Sequence, residues 1–143
     1  MDLTPEQIDQ IVRELEVHMT FSVQPDQIKG GDDWSYIGVG DNPVFQNGWS
    51  NHGSTYQDAG YRKVGNLVYL VGTMDIGTPG TAFTLPVGYR PEFKLVFIGA
   101  VSLGNAGGVV TDVCIVTVNT DGTVVINAVS SPASLHGIVF RTP

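Results

Sequence analysis

Seven Lys and Arg against fourteen Asp and Glu give this 143-residue chain a formal net charge of −7, and charged residues make up only 15% of it, where soluble domains carry about 25%. That length fits one domain and excludes a multidomain enzyme. Seven scattered basic residues exclude a chain held on nucleic acid by bulk charge, which needs clustered Lys and Arg.

The segment Met1-Asp2-Leu3-Thr4-Pro5-Glu6 is acidic and has no apolar run, which predicts synthesis in the cytoplasm without a standard secretory signal. Thr4-Pro5-Glu6-Gln7 supplies an N-cap hydroxyl, Pro at the first helical position and Gln at the third, the parts of a capping box. Ile8, Ile11, Val12, Leu15 and Met19 then follow at i, i+3, i+4, i+7 and i+11, one face of a helix. Glu6 and Asp9 sit near its start, where the helix dipole favours acids. The pattern predicts an amphipathic helix from about Pro5 to about Met19, within an N-terminal stem of residues 1–20. Such a helix is marginal alone in water, so its apolar stripe needs a partner surface. Residues 21–33, with Pro25 and Lys29-Gly30-Gly31-Asp32-Asp33, read as a linker.

Beyond Trp34 short β-rich runs alternate with Gly, Asn, Asp and Pro, which predicts an antiparallel, jelly-roll-like β-sandwich head over 34–143. Strands are expected near 34–39, 44–46, 59–64, 67–74, 81–85, 93–103, 109–119, 123–130 and 137–141. Gly65-Asn66 and Asp121-Gly122 suit tight turns because these residues tolerate positive φ. The fold class is therefore mainly β behind one helix.

Several strands are apolar on both faces, where a sandwich strand alternates. Over 93–103, Leu95, Phe97 and Val101 oppose Val96, Ile98 and Ala100; over 109–118, Val113 and Ile115 oppose Cys114, Val116 and Val118. With no βαβ unit to cover a second face, the economical cover is another copy of the chain, because a long exposed apolar strand face aggregates. A homo-oligomer also gives the stem's stripe of Ile8, Ile11, Val12, Leu15 and Met19 its partner. Two heptads are too few to set the stoichiometry.

The search for catalytic chemistry returns no site. Cys114 is alone, so there is neither an intrachain disulfide nor a cysteine-based zinc site. His18, His52 and His136 are too dispersed for a metal signature. Asp32-Asp33, Asp41 and Asn42 offer oxygens for calcium but read more simply as a solvated acidic loop. No nucleophile elbow or phosphate-binding loop is present, and Gly104-Asn105-Ala106-Gly107-Gly108 joins two strands with no helix behind it. No catalytic residue, cofactor or metal is expected, and no apolar run approaches the about 20 residues of a membrane-inserted helix.

The aromatic residues give a better lead. Trp34, Tyr36, Trp49, Tyr56 and Tyr61 lie in or beside loops rich in Asn, Ser and Gly, and the stretch 46–58 is the most polar. Aromatic faces beside amides and hydroxyls suit sugar stacking or protein contact. Trp49, Asn51, His52 and Tyr56, with loop 104–108, are the first candidates for a ligand surface; for Trp34 and Trp49 the alternative is a strand-end core plug.

The run Phe45-Gln46-Asn47-Gly48-Trp49-Ser50-Asn51, the run Tyr61-Arg62-Lys63-Val64-Gly65-Asn66-Leu67-Val68-Tyr69-Leu70-Val71-Gly72, the segment Leu85-Pro86-Val87-Gly88-Tyr89-Arg90-Pro91 and the closing Ser134-Leu135-His136-Gly137-Ile138-Val139-Phe140 together resemble a module of tailed-bacteriophage virion proteins. The module is similar to the tip or head domains of tail fibres and of baseplate receptor-binding proteins. The resemblance covers about residues 34–143. It implies a homotrimeric β-sandwich on a helical stem, carried on the virion and released by lysis. Its implied partners are sister copies, other tail or baseplate proteins and host cell-wall polysaccharide, with no nucleic acid and no membrane insertion. It fixes no receptor-contact residue. A capsid-decorating head fibre, or a free carbohydrate-binding adhesin module, are the alternative readings.

Overall fold

The computed structural model describes residues 2–22, 31–101, 112–128 and 132–143, with side chains outside 14–22. Its contacts divide the chain into two compact units, Met1–Gly31 and Asp32–Pro143. In the first, helix α1 runs Pro5–Ser22, one turn beyond the expected end. The capping box forms as the sequence dictates: the Gln7 amide donates to Thr4 Oγ1 at 3.2 Å, and the Thr4 amide donates to Gln7 Oε1 at 2.9 Å. Ile8, Ile11 and Val12 are all more than two-fifths exposed. The side chains of Leu15, His18 and Met19, most of the linker, and loop 104–108 lie outside the described residues.

Among the described residues of the second unit there are eleven strands: β1 Ser35–Tyr36, β2 Ser50–Asn51, β3 Gly60–Val64, β4 Leu67–Val71, β5 Thr73–Asp75, β6 Gly80–Thr84, β7 Leu95–Val101, β8 Asp112–Val118, β9 Thr123–Asn127, β10 Ala133–Ser134 and β11 Val139–Arg141. They form two antiparallel sheets, one ordered β1-β3-β4-β11 and the other β2-β5-β10-β7-β8-β9-β6. The expected plan of a helix followed by antiparallel β-structure is met. Its details differ in several places. Residues 44–46 are not a strand, the polar stretch 46–58 contains β2, and β10 forms where no strand is expected.

The expected strand 67–74 is really two strands in different sheets. Gly72 makes the transfer: its φ is +117°, and a Cβ there would lie 2.3 Å from the Ala59 Cα, an approach only glycine permits. Before it, β3 and β4 close a hairpin in which Val64 pairs with Leu67 across the Gly65-Asn66 turn, with Gly65 at φ +60°. Between β8 and β9 the Asp121 carboxylate accepts from both the Thr123 amide at 3.0 Å and the Thr123 hydroxyl at 2.6 Å. Those bonds hold the Asp121 carboxyl below its ordinary pKa.

The core lies between the sheets. Val68, Leu70 and Phe140 from the smaller sheet join Phe83, Val116, Val118, Val124 and Ile126 from the larger in one buried cluster. Phe97 on β7 meets Phe140 on β11 with ring centroids 6.5 Å apart. Burial alternates along the strands as a two-sided sheet requires: in β8, Cys114, Val116 and Val118 are buried while Val113 and Ile115 are exposed. Burial pushes the Cys114 thiol up from its ordinary pKa.

Candidate functional site

Two surfaces of the head stand out, one apolar and one polar. The first is the outer face of the larger sheet. Antiparallel register sets Ile98 directly against Ile115 and Ala100 against Val113. These side chains point away from the core, and the outward positions of β7 and β8 carry no charge. Ile98 is 76% exposed, Val96 63%, Val113 60% and Ile115 50%. The two-sided apolarity read from the sequence is thus real, and one of the two faces is left in water. The smaller sheet repeats the pattern more weakly, with Leu67, Tyr69 and Val139 about two-fifths exposed and Val139 paired with Tyr69.

The second surface is built by the segment that follows β2. The Asn51 side-chain oxygen accepts from the Ala59 amide at 2.8 Å and ties the two ends of the loop together. Between them Gly53 at φ +76° and Ser54 at φ +55° make a sharp left-handed turn, closed by the Tyr56 amide on the Gly53 carbonyl at 3.1 Å. The loop is laced to β5 on both sides of one residue: the Thr73 amide donates to the Gln57 carbonyl at 2.9 Å, and the His52 amide donates to the Thr73 carbonyl at 3.0 Å. The His52 Nδ1 lies 2.6 Å from Asp75 Oδ1, so that nitrogen carries the proton and donates it. The His52 and Tyr56 rings meet edge to face, with centroids 4.7 Å apart and planes at 79°.

Of the four residues expected to form a ligand surface, the structure brings His52 and Tyr56 together and gives Trp49 and Asn51 other positions. Trp49 is 3% exposed, and its indole N–H donates to the Thr78 carbonyl at 3.0 Å; it sits as the strand-end core plug that was its alternative reading. Asn51 is the clasp of the loop. Trp34 is half-buried, with the Arg62 guanidinium 5.9 Å from its ring centre. Sequence reasoning missed Ser134 and Thr73, which face each other across β10 and β5, and His136, whose amide donates to the Ser134 hydroxyl at 3.2 Å. The Ser-x-His spacing was the available signal, but nothing local marks β10 as a strand.

Of the residues weighed as calcium ligands, Asp32 and Asn42 are engaged otherwise, while Asp33 and Asp41 are exposed. Tyr89 donates its hydroxyl to Asp32 Oδ2, and that bond pushes the Tyr89 phenol up to about 12. Asn42 donates to the Tyr36 carbonyl at 3.1 Å. Among the described residues no group of three or more His, Cys, Asp and Glu comes together, and no helix is long and apolar enough to cross a membrane.

What the geometry defines is a two-sheet antiparallel unit, preceded in the chain by a helix, with an uncharged apolar patch on β7 and β8 of one sheet and a braced polar loop elsewhere on its surface. That class of fold is found in a phage receptor binding protein. The chain is similar to the crystal structure of the receptor binding protein (gp15) of Listeria phage PSA, with a TM-score of 0.62 over 99% of this chain and 82% of that one. Sequence identity is 18%, so the likeness is one of fold, and the expected mainly β, antiparallel architecture with one helix is met. No protein-family model and no curated protein matches the chain.

Proposed function

We propose that the chain is a structural component of a tailed-phage virion, a small tail-tip or fibre-type protein that assembles as a homotrimer and contacts the host surface. The observation that carries this reading is the likeness of fold to a phage receptor-binding protein over 99% of the chain. Two further features support it. The Ile98–Ile115 face is apolar, uncharged and open to water, as a surface covered by sister subunits would be. The helix carries exposed Ile8, Ile11 and Val12 on one stripe, to which the sequence adds Leu15 and Met19; together they suit a short bundle that holds the copies at one end. In this reading residues 1–20 are the stem, 21–33 the linker and 34–143 the head. The polar loop 52–57 is the side offered to host-surface polysaccharide.

Antibodies against the purified chain, applied to intact particles of the phage that encodes it, test the placement. Gold label confined to the tail is the expected result. Label on the capsid would turn the reading into a head fibre, and chain present only free in the lysate would overturn it. Retention of the purified protein on cell-wall fragments of the infected bacterium tests host contact separately; no retention leaves a purely structural role.

A further inference from the structure

We propose that the groove between the 52–57 loop and the β10–β11 turn binds one neutral sugar ring, with Tyr56 as its stacking platform and His52 as the residue that positions Tyr56. The proposal rests on the host-contact reading above and gives that contact a place and a ligand class.

The groove has a volume of about 350 Å³ and is lined by Tyr56, Gln57, Thr73, Ala100, Ser134 and His136 among others. Small-ligand clefts begin at about 300 Å³, so it is sized for a single ring rather than a chain. Its chemistry is mixed in the way a pyranose is mixed. Hydroxyls from Tyr56, Thr73 and Ser134, the Gln57 amide and the His136 imidazole can donate or accept, while Ala100 and Pro132 supply apolar wall for C–H groups. Among the described residues, no Lys, Arg, Asp or Glu lines it. A site with no fixed cation, on a chain of net charge −7, does not suit an anionic ligand.

The groove is also stiff before any ligand arrives. Thr73 and Ser134 are fixed by their cross-strand pairing, and the Thr73 backbone holds the loop at both His52 and Gln57. The Asp75 carboxylate holds His52, and His52 abuts Tyr56. Gln57 Nε2 donates to the Tyr36 hydroxyl at 3.1 Å. At an interplanar angle of 79° His52 leaves at least one face of the Tyr56 ring uncovered, and Tyr56 is 48% exposed. An aromatic face held ready, with hydroxyls around it, loses little entropy on stacking against a sugar.

Saturation-transfer NMR on the purified chain tests this, using the methyl pyranosides of glucose, galactose, N-acetylglucosamine and rhamnose at millimolar concentration, with glycerol 1-phosphate as the anionic probe. At least one neutral glycoside is expected to receive saturation. Tyr56→Ala should weaken that binding tenfold or more, Tyr56→Phe should retain most of it, and His52→Ala should weaken it severalfold. The half-exposed Tyr56 is not a core residue, so Tyr56→Ala keeps its wild-type melting temperature. Transfer to none of the glycosides, transfer to glycerol phosphate alone, or unchanged binding by Tyr56→Ala overturns the groove. Tyr56→Ala held on host cell wall as firmly as wild type overturns the groove and leaves host contact standing. A wild-type chain that binds a glycoside but is not held on the wall overturns host contact and leaves the groove standing.

Discussion

Replacing both Ile98 and Ile115 by Asp should separate the proposed homotrimer into folded monomers. Burying an aliphatic side chain completely contributes about 1.5–3 kcal/mol. Ile98 still has three-quarters of its surface in water and Ile115 half, so covering the pair contributes roughly 2–4 kcal/mol per protomer. Adding Val96 and Val113, exposed by 63% and 60%, raises the contribution of the face to roughly 4–7 kcal/mol. The double substitution removes about half of that and sets two carboxylates where a sister copy must sit, at a further cost of several kcal/mol if they stay unpaired. A change of about 3 kcal/mol weakens association a hundredfold. Light scattering after size exclusion reads the result as a fall from three times 15.3 kDa to 15.3 kDa. Far-ultraviolet circular dichroism should not change, because both side chains point away from the core. Wild-type mass at the same concentration would refute the reasoning, and so would a monomeric wild-type chain.

Three other expectations follow from local geometry and charge. Gly72→Ala should prevent folding or cost several kcal/mol, because its Cβ would meet the Ala59 backbone at 2.3 Å, whereas Gly65→Ala at φ +60° has nothing within 4 Å and should cost only about 1 kcal/mol; equal urea midpoints for the two would contradict this. Tyr89 loses a proton at about 12 when folded, against 10.0 ordinarily, so the folded state holds a proton the unfolded chain gives up; stability from this phenol is complete below pH 10 and lost as pH rises through about 12. Urea midpoints between pH 9 and 12 should therefore fall less steeply in Tyr89→Phe, and identical slopes would remove Asp32 as the cause. Assembly should strengthen with salt, since copies of charge −7 repel while the joining face is uncharged; sedimentation showing dissociation on salt addition would count against an apolar interface.

The helix and its cap were legible because Thr4, Pro5 and Gln7 act within one turn, and short-range chemistry is written in adjacent residues. The larger strands were legible for a similar reason: a seven-residue strand such as β7 shows its period of two. The apolarity of both its faces could be read directly, although the sequence does not say which face meets the core. That choice is made by pairing. Cys114, Val116 and Val118 turn inward because Leu70, Phe140 and their neighbours on the other sheet meet them there, far away along the chain. Two-residue strands leave no period to detect. β2 and β10 exist because β5 offers them partners, Asn51 to Met74 and Ser134 to Thr73. Trp49 illustrates the same limit, since an aromatic in a polar run reads as a surface residue until the Thr78 carbonyl that receives its N–H is in view.

Ala100 lies where the two surfaces of the head meet. It points outward on β7, two residues from Ile98 and opposite Val113, and it also lines the groove beside Tyr56 and Ser134. One sheet face thus passes from uncharged aliphatic to hydroxyl-bearing within about two strand widths. The side chains of Val96, Ile98, Val113 and Ile115 have no polar group to satisfy and lose nothing when another apolar surface excludes water from them. The polar part would lose its water hydrogen bonds under the same cover and is stable open, unless something that replaces those bonds enters. A surface divided into a part suited to cover and a part suited to stay open follows from that difference, and the boundary falls at Ala100, the smallest side chain on the outward face of β7.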